Sequence, residues 1–181
     1  MERNVLVPVA DGSEELETVA IVDVLRRPGA NVTIAAVKEL VVTGSKGMKL
    51  VADRLLSDCA RETFDLIALP GGIPGAERLR DSAGLIALLK RQADEGRLYA
   101  ALCASPVVVL HPHGLLRGKR FTCHPDFSKG VDGRLSAEPV VVDGNLVTGR
   151  GAGTAVDFAL MLVELLYGRE KVQEVRRGMA M

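Results

Sequence analysis

The stretch VLVPVADGSEELETVAIVDVLRRPGANVTIAAV, Val5 to Val37, decides the fold. Two short apolar runs, Val5 to Ala10 and Val32 to Val37, flank a helical pattern from about Glu14 to Arg27 that ends at Pro28-Gly29. This is a β-α-β unit, and the alternation continues outward from it. Leu66 to Leu69 is a third apolar run, closed by Pro70-Gly71-Gly72, and a helical stretch from about Ser82 to Glu95 leads into Leu98 to Leu102. Strands alternating with helices predict an α/β fold: a mainly parallel sheet with helices on both faces. Val140 to Val142 and Leu146-Val147, joined through Asp143-Gly144, predict a β-hairpin grafted on that core. Two closing helices are expected, about Ala152 to Leu166 and Arg169 to Arg177, separated by Gly168. With 181 residues and no repeat, low-complexity tract or linker, a single domain over 1–181 is expected.

Bulk properties exclude more than they assign. Lys plus Arg and Asp plus Glu are both 23, so no basic stripe advertises a nucleic-acid partner. No apolar run approaches the roughly 18 residues of a membrane span, so no membrane association is expected. The three cysteines, Cys59, Cys103 and Cys123, are odd in number and lack C-x-x-C spacing. That predicts a reducing compartment, the cytoplasm, with a chloroplast or mitochondrion still compatible.

The strongest chemical signal is Leu98-Tyr99-Ala100-Ala101-Leu102-Cys103-Ala104-Ser105-Pro106. An apolar strand runs straight into Cys103; Ser105 then reads as a helix N-cap and Pro106 as the first helical position. A thiol facing a helix N-terminus is expected to ionise readily, its pKa falling from about 8.5 to roughly 3.5–7.5. Cys59 and Cys123 lack that setting and read as buried small hydrophobes, Cys123 beside His124 being open to an accessory role.

In the first helix Ser13 reads as the N-cap, and Glu14 and Glu15 need no explanation beyond acids complementing the helix dipole. Glu17 differs, because its helical neighbours are Ala20, Ile21 and Val24, an apolar stripe. A carboxylate there needs protonation or a specific partner. Loops at the carboxyl ends of parallel strands converge on one crevice, which predicts that Glu17 and Cys103 meet. Leu69-Pro70-Gly71-Gly72-Ile73-Pro74-Gly75 reaches the same crevice, either as backbone donors for an oxyanion or as a tight turn. The stretch Gly149-Arg150-Gly151-Ala152-Gly153-Thr154 carries the same two readings. His124 falls near a strand end, compatible with an active-site role, whereas His111 and His113 read as structural. No spacing fits a metal site, so neither metal nor cofactor is expected.

Together, Glu14-Glu15-Leu16-Glu17-Thr18-Val19, Leu69-Pro70-Gly71-Gly72, Ala101-Leu102-Cys103-Ala104-Ser105-Pro106, His124-Pro125 and Arg150-Gly151-Ala152-Gly153-Thr154 resemble the DJ-1/PfpI (ThiJ) superfamily, in its parkinsonism-associated deglycase branch. The resemblance spans about Asn4 to Glu174. It implies a flavodoxin-like three-layer sandwich, usually a homodimer. It also implies the nucleophile at Cys103, the partner carboxylate at Glu17, the active-site histidine at His124, and oxyanion-type donors at Gly71, Gly72 and the Ala104 backbone. Arg26 and Lys46 lie near positions linked to the family's dimer-proximal pocket. The implied activity is that of a cofactor-independent, glutathione-independent glyoxalase III-like or deglycase-like enzyme. It would convert methylglyoxal, glyoxal or a glycated substrate to lactate or glycolate. The implied alternative is a redox sensor or redox-regulated chaperone acting through oxidation of Cys103 to sulfinic acid. Ala104 stands where protease-like relatives carry a histidine, and no late His-x-Glu pair appears, which weakens both hydrolase readings. Ser105 stands where close relatives often have glycine or alanine, which implies a narrower pocket.

Overall fold

The computed structural model describes residues 2–181. In chain order the elements are β1 (Asn4–Val9), α1 (Glu15–Arg26), β2 (Asn31–Ala36), β3 (Val41–Thr43), β4 (Lys49–Val51), β5 (Arg54–Leu55), β6 (Leu66–Leu69), α2 (Gly75–Arg80), α3 (Ala83–Asp94), β7 (Leu98–Leu102), β8 (Arg120–Phe121), β9 (Arg134–Leu135), β10 (Val140–Asp143), β11 (Leu146–Gly149), α4 (Ala155–Tyr167) and α5 (Arg169–Gly178). The main sheet runs β10-β11-β7-β6-β1-β2-β5, and every neighbouring pair is parallel except β10 with β11.

Strand alternation divides the core into two layers, because successive side chains point to opposite faces. Val5, Val7, Val9, Leu66, Ala68, Ala100 and Leu102 pack with α1, α4 and α5 through Ile21, Leu25, Phe158, Leu162 and Val175. Leu6, Ile67, Leu69, Tyr99 and Ala101 face the other way, onto Leu79 of α2, Leu85 and Leu89 of α3, and Val109 and Leu110 beyond the elbow. Each fully buried Leu, Ile or Phe adds about 1.5–3 kcal/mol. The result is the expected three-layer sandwich. Its central strands β1, β6 and β7 lie side by side, so the loops after Val9, Leu69 and Leu102 emerge at one edge.

Several local expectations are corrected. The cap of α1 is Glu14, whose Oε2 accepts the Glu17 N–H at 2.8 Å, whereas Ser13 Oγ instead accepts the Ala10 N–H at 3.0 Å. The hairpin β10–β11 is part of the main sheet, with β11 parallel to β7, rather than an addition to it. Its turn falls one residue later than read, at Gly144-Asn145 with Asp143 still paired to Leu146, and Gly144 at φ +61 supplies the left-handed backbone. The penultimate helix begins at Ala155, after a 3₁₀ turn at Ala152–Thr154. The hairpin β3–β4, the pair β8–β9 and helix α2 carried too few residues to show a period.

Candidate active site

Cys103 stands one residue beyond β7, its N–H donating to Gly149 O at 3.0 Å and its carbonyl accepting the His124 N–H at 2.9 Å. Its φ is +64, a left-handed backbone that costs a non-glycine residue about 1–3 kcal/mol and is over-determined here by those neighbouring bonds. The chain then enters a five-residue π-helical turn, Pro106–Leu110, with proline at its start as read. Ser105 is not its cap. It already has helical backbone, and its fully buried Oγ donates to Pro70 O at 2.6 Å, tying the elbow to the loop after β6 rather than lining the cavity beside Cys103.

That loop brings the second group. Gly71 N donates to Glu17 Oε2 at 2.7 Å, and Gly71 O accepts the Glu14 N–H at 2.9 Å. A Cβ on Gly71 would lie 2.7 Å from Cys103 Cβ and 3.0 Å from Glu17 Oε2, so only a glycine packs here against both residues. Gly72, at φ +88, presses against Gly12 O and Glu14 N so closely that no side chain fits. Glu17 is fully buried, and its second oxygen, Oε1, is buried without a hydrogen-bond partner.

An open cavity of about 570 Å³ collects these groups. It is lined by Cys103, Glu17, His124, Gly72, Ala104 and Lys46, all singled out from the sequence. The structure therefore joins the three proposed catalytic side chains, with Gly71 packed beneath. Arg26 is elsewhere: at the far end of α1 it donates to Val32 O at 2.8 Å and to Asp53 at 3.3 Å, bordering a separate groove. His124 projects into the cavity beside Phe127, ring centroids 6.2 Å apart, and its Nδ1 accepts the Asp126 N–H at 3.3 Å. Arg150, Gly151 and Ala152 also line the cavity, so the glycine-rich stretch after β11 belongs to the site. Glu15 was misread: it is buried and bonded to the β3–β4 turn, 31 residues on.

The electrostatics couple Glu17 to Cys103. Burial pushes the Glu17 carboxyl up to about 7, against the Gly71 N–H and the neighbouring Cys103 thiol, which favour the anion. With Glu17 ionised, the Cys103 thiol is pushed up to about 12, by burial first, then by the neighbouring Glu17 charge. The N–H groups of Ala104 and Gly72 act oppositely and favour thiolate. This corrects the expectation of a thiol acidified by a helix dipole. The turn at Pro106 is too short to build one, and the thiolate instead requires Glu17 to hold the proton. When it does, the upward push of that charge on the sulfur vanishes and the two N–H donors remain. Among the described residues no group of three or more His, Cys, Asp and Glu is arranged to hold a metal.

Fold and site together define an α/β sandwich with a strained cysteine elbow and a buried carboxylate at the carboxyl edge of its sheet. The chain belongs to the DJ-1/PfpI family, whose model matches residues 3–165. It is 52% identical over 169 residues to Protein DJ-1 homolog B of Arabidopsis thaliana, covering 92% of this chain and 39% of that relative. The chain thus spans well under half the length of that relative. To Glutathione-independent glyoxalase DJR-1.2 of Caenorhabditis elegans it is 37% identical over 180 residues, covering 98% of this chain and 95% of that one. The structure of oxidized Toxoplasma gondii DJ-1 superposes with a TM-score of 0.96 at 45% identity, covering 98% of each chain.

Proposed function

We propose that the protein is a glutathione-independent glyoxalase/deglycase-like enzyme using Cys103 as nucleophile, Glu17 as proton shuttle and His124 as an orienting group. The observation that carries this is the single cavity that collects the left-handed Cys103 elbow, the fully buried Glu17 carboxyl and His124. The Caenorhabditis elegans relative named as a glyoxalase supports it.

As sulfur adds to the aldehyde carbon of methylglyoxal, the thiol proton passes to Glu17 and the carbonyl oxygen takes the electron pair of its π bond. Protonation of that oxygen gives the hemithioacetal. The backbone donors of Gly72 and Ala104, already directed at the sulfur, favour that developing negative charge. Glu17, again a carboxylate, removes the carbon-bound proton to leave an enediolate and returns that proton to the adjacent carbon, while the hydroxyl proton passes from the first oxygen to the second, which yields a lactate thioester. Water hydrolyses the thioester, releasing lactate and restoring the thiol, so methylglyoxal plus water becomes lactate. Glyoxal gives glycolate by the same steps. General acid-base assistance of this kind is worth about 10²- to 10⁴-fold. The test is lactate formation from methylglyoxal without glutathione, which Cys103→Ala should abolish and Glu17→Gln should lower by at least about 10²-fold. Activity near the wild-type level after either change would refute the assignment.

A second reading, a redox sensor or redox-regulated chaperone, is favoured by the two N–H donors at the sulfur and by the oxidized state of the Toxoplasma gondii relative. Peroxide would take Cys103 to the sulfenic acid with release of water, and a second equivalent to the sulfinic acid. Mass spectrometry after mild peroxide separates the readings: oxidation of Cys59 or Cys123 before Cys103 would count against a sensor.

The same proposal includes a homodimer and a reducing, cytoplasmic setting. Three free cysteines support the setting. Exposed Leu16 and Val19 on α1, with Met48 and Val51 on the neighbouring hairpin, supply apolar surface that a second copy would cover. No helix among the described residues is long and apolar enough to cross a membrane.

A further inference from the structure

Glu15 occupies the first turn of α1, between the cap Glu14 and exposed Leu16, yet only 5% of it is exposed. Its carboxylate is directed at the hairpin β3–β4. Oε1 accepts the backbone N–H of Lys46 at 2.7 Å and of Met48 at 3.1 Å, while Oε2 accepts the Ser45 hydroxyl at 3.1 Å. Burial pushes this carboxyl up, but its own backbone N–H together with the Met48, Lys46 and Ser45 donors outweighs it and holds the pKa below the usual value. The fit is tight: a Cβ on Gly44 would run into Glu15 Cγ and Cδ, so the turn lies flat on the side chain. Ser45 and Lys46, the residues of this turn, line the wall of the Cys103 cavity. The flanking bonds, Ser45 N to Ser13 O at 2.9 Å and Gly12 N to Thr43 O at 2.7 Å, hold the base of the turn, and Glu15 holds its tip.

We infer that Glu15 is a positioning residue: it pins the turn at 44–47 so that the Lys46 ammonium stands at the mouth of the Cys103 cavity. Without that carboxylate two backbone N–H groups lose their acceptor, and the turn must move to find water. Three acids within four residues then have three different tasks. Glu14 caps the helix, Glu15 fixes one wall of the cavity, and Glu17 faces the thiol. The inference rests on the cavity being where Cys103 reacts, and its test needs no turnover, so failure of the glyoxalase reading would leave it standing.

The measurement compares the rates at which iodoacetate and iodoacetamide alkylate Cys103, as a ratio. The reagents differ by one negative charge, so the ratio reads the nearby cation. Lys46→Met should lower it about fivefold, the scale of one unit charge at a partly exposed site. Glu15→Ala should lower it to the Lys46→Met value. Glu15→Gln, which keeps an acceptor oxygen for the two N–H groups, should retain most of the ratio. Gly44→Ala, which lifts the turn while leaving the Glu15 charge in place, should match Glu15→Ala and decides the matter if Glu15→Ala fails to fold. A merely structural role would lower the melting temperature and leave the ratio alone. Folded Glu15→Ala or Gly44→Ala protein with the wild-type ratio would overturn the inference.

Discussion

At the scale of single residues, the chemistry depends on where one proton resides. Glu17 loses all contact with water on folding and keeps one oxygen without a partner, which is why burial dominates its shift to about 7. The sign of the resulting stability change follows. Between about pH 4.5 and 7 the native state holds a proton that the unfolded chain has released, so stability is full below 4.5 and falls as pH rises to 7. The shift corresponds to about 3 kcal/mol. Urea denaturation should show Glu17→Gln gaining on wild type across this window, with a constant advantage above it. Parallel curves for the two proteins would mean that Glu17 ionises normally. Glu17 and Cys103 were both legible in the sequence, one as an acid on an apolar helical stripe, the other as a cysteine between a buried strand and Pro106. Glu15 was not, because its partners come from a hairpin 31 residues away and its own helix offers no sign of them.

At the scale of elements, the site is a meeting of loops too tightly packed to admit side chains. Gly72→Ala would combine φ +88 with collisions against Gly12 O and Glu14 N. It should cost about 2–4 kcal/mol. It should also slow Cys103 alkylation, since Gly72 N–H is one of the two donors favouring thiolate. Unchanged stability together with unchanged alkylation would contradict this. Helix caps were the least legible feature. Ser13 and Ser105 are residue types that cap helices, yet each hydroxyl serves a different bond: Ser13 accepts the Ala10 N–H in the turn just before the helix, and Ser105 donates to Pro70 O, 35 residues away in sequence. The long elements were read to within a few residues, since α1 and α3 span enough turns to show their period. Short β3, β4 and β9 did not, and β8 was legible only as the strand end near His124.

At the scale of the whole molecule, the sandwich holds the elbow by packing under it. Gly149 lies beside Cys103, and a Cβ there would meet Leu102 and, at 2.8 Å, Phe158 Cδ2, so α4 buttresses the end of β7 through one fully buried ring. Phe158→Ala should cost about 3–5 kcal/mol in chemical denaturation. A loss under 1 kcal/mol would show that the layer collapses to fill the space. The proposed dimer makes a separate prediction. Sedimentation should give twice the chain mass, and Val51→Asp, at a side chain 70% exposed in the single chain, should shift it toward the monomer. Wild-type protein sedimenting as a monomer at tens of micromolar would remove the dimer from the account. The parallel sheet was legible from the first β-α-β unit, because apolar runs separated by a helix leave few other topologies. That β11 joins the sheet beside β7 was not, since only the assembled fold shows which edge receives a late hairpin.

The pH dependence of Cys103 alkylation, measured in wild type and Glu17→Gln, bears most directly on the coupling of Glu17 to Cys103. The account predicts a wild-type rate that rises through about pH 7, where the pair gives up its first proton. It predicts a midpoint displaced upward in Glu17→Gln, where a neutral amide cannot take the proton from sulfur. Superimposable profiles for the two proteins would contradict it.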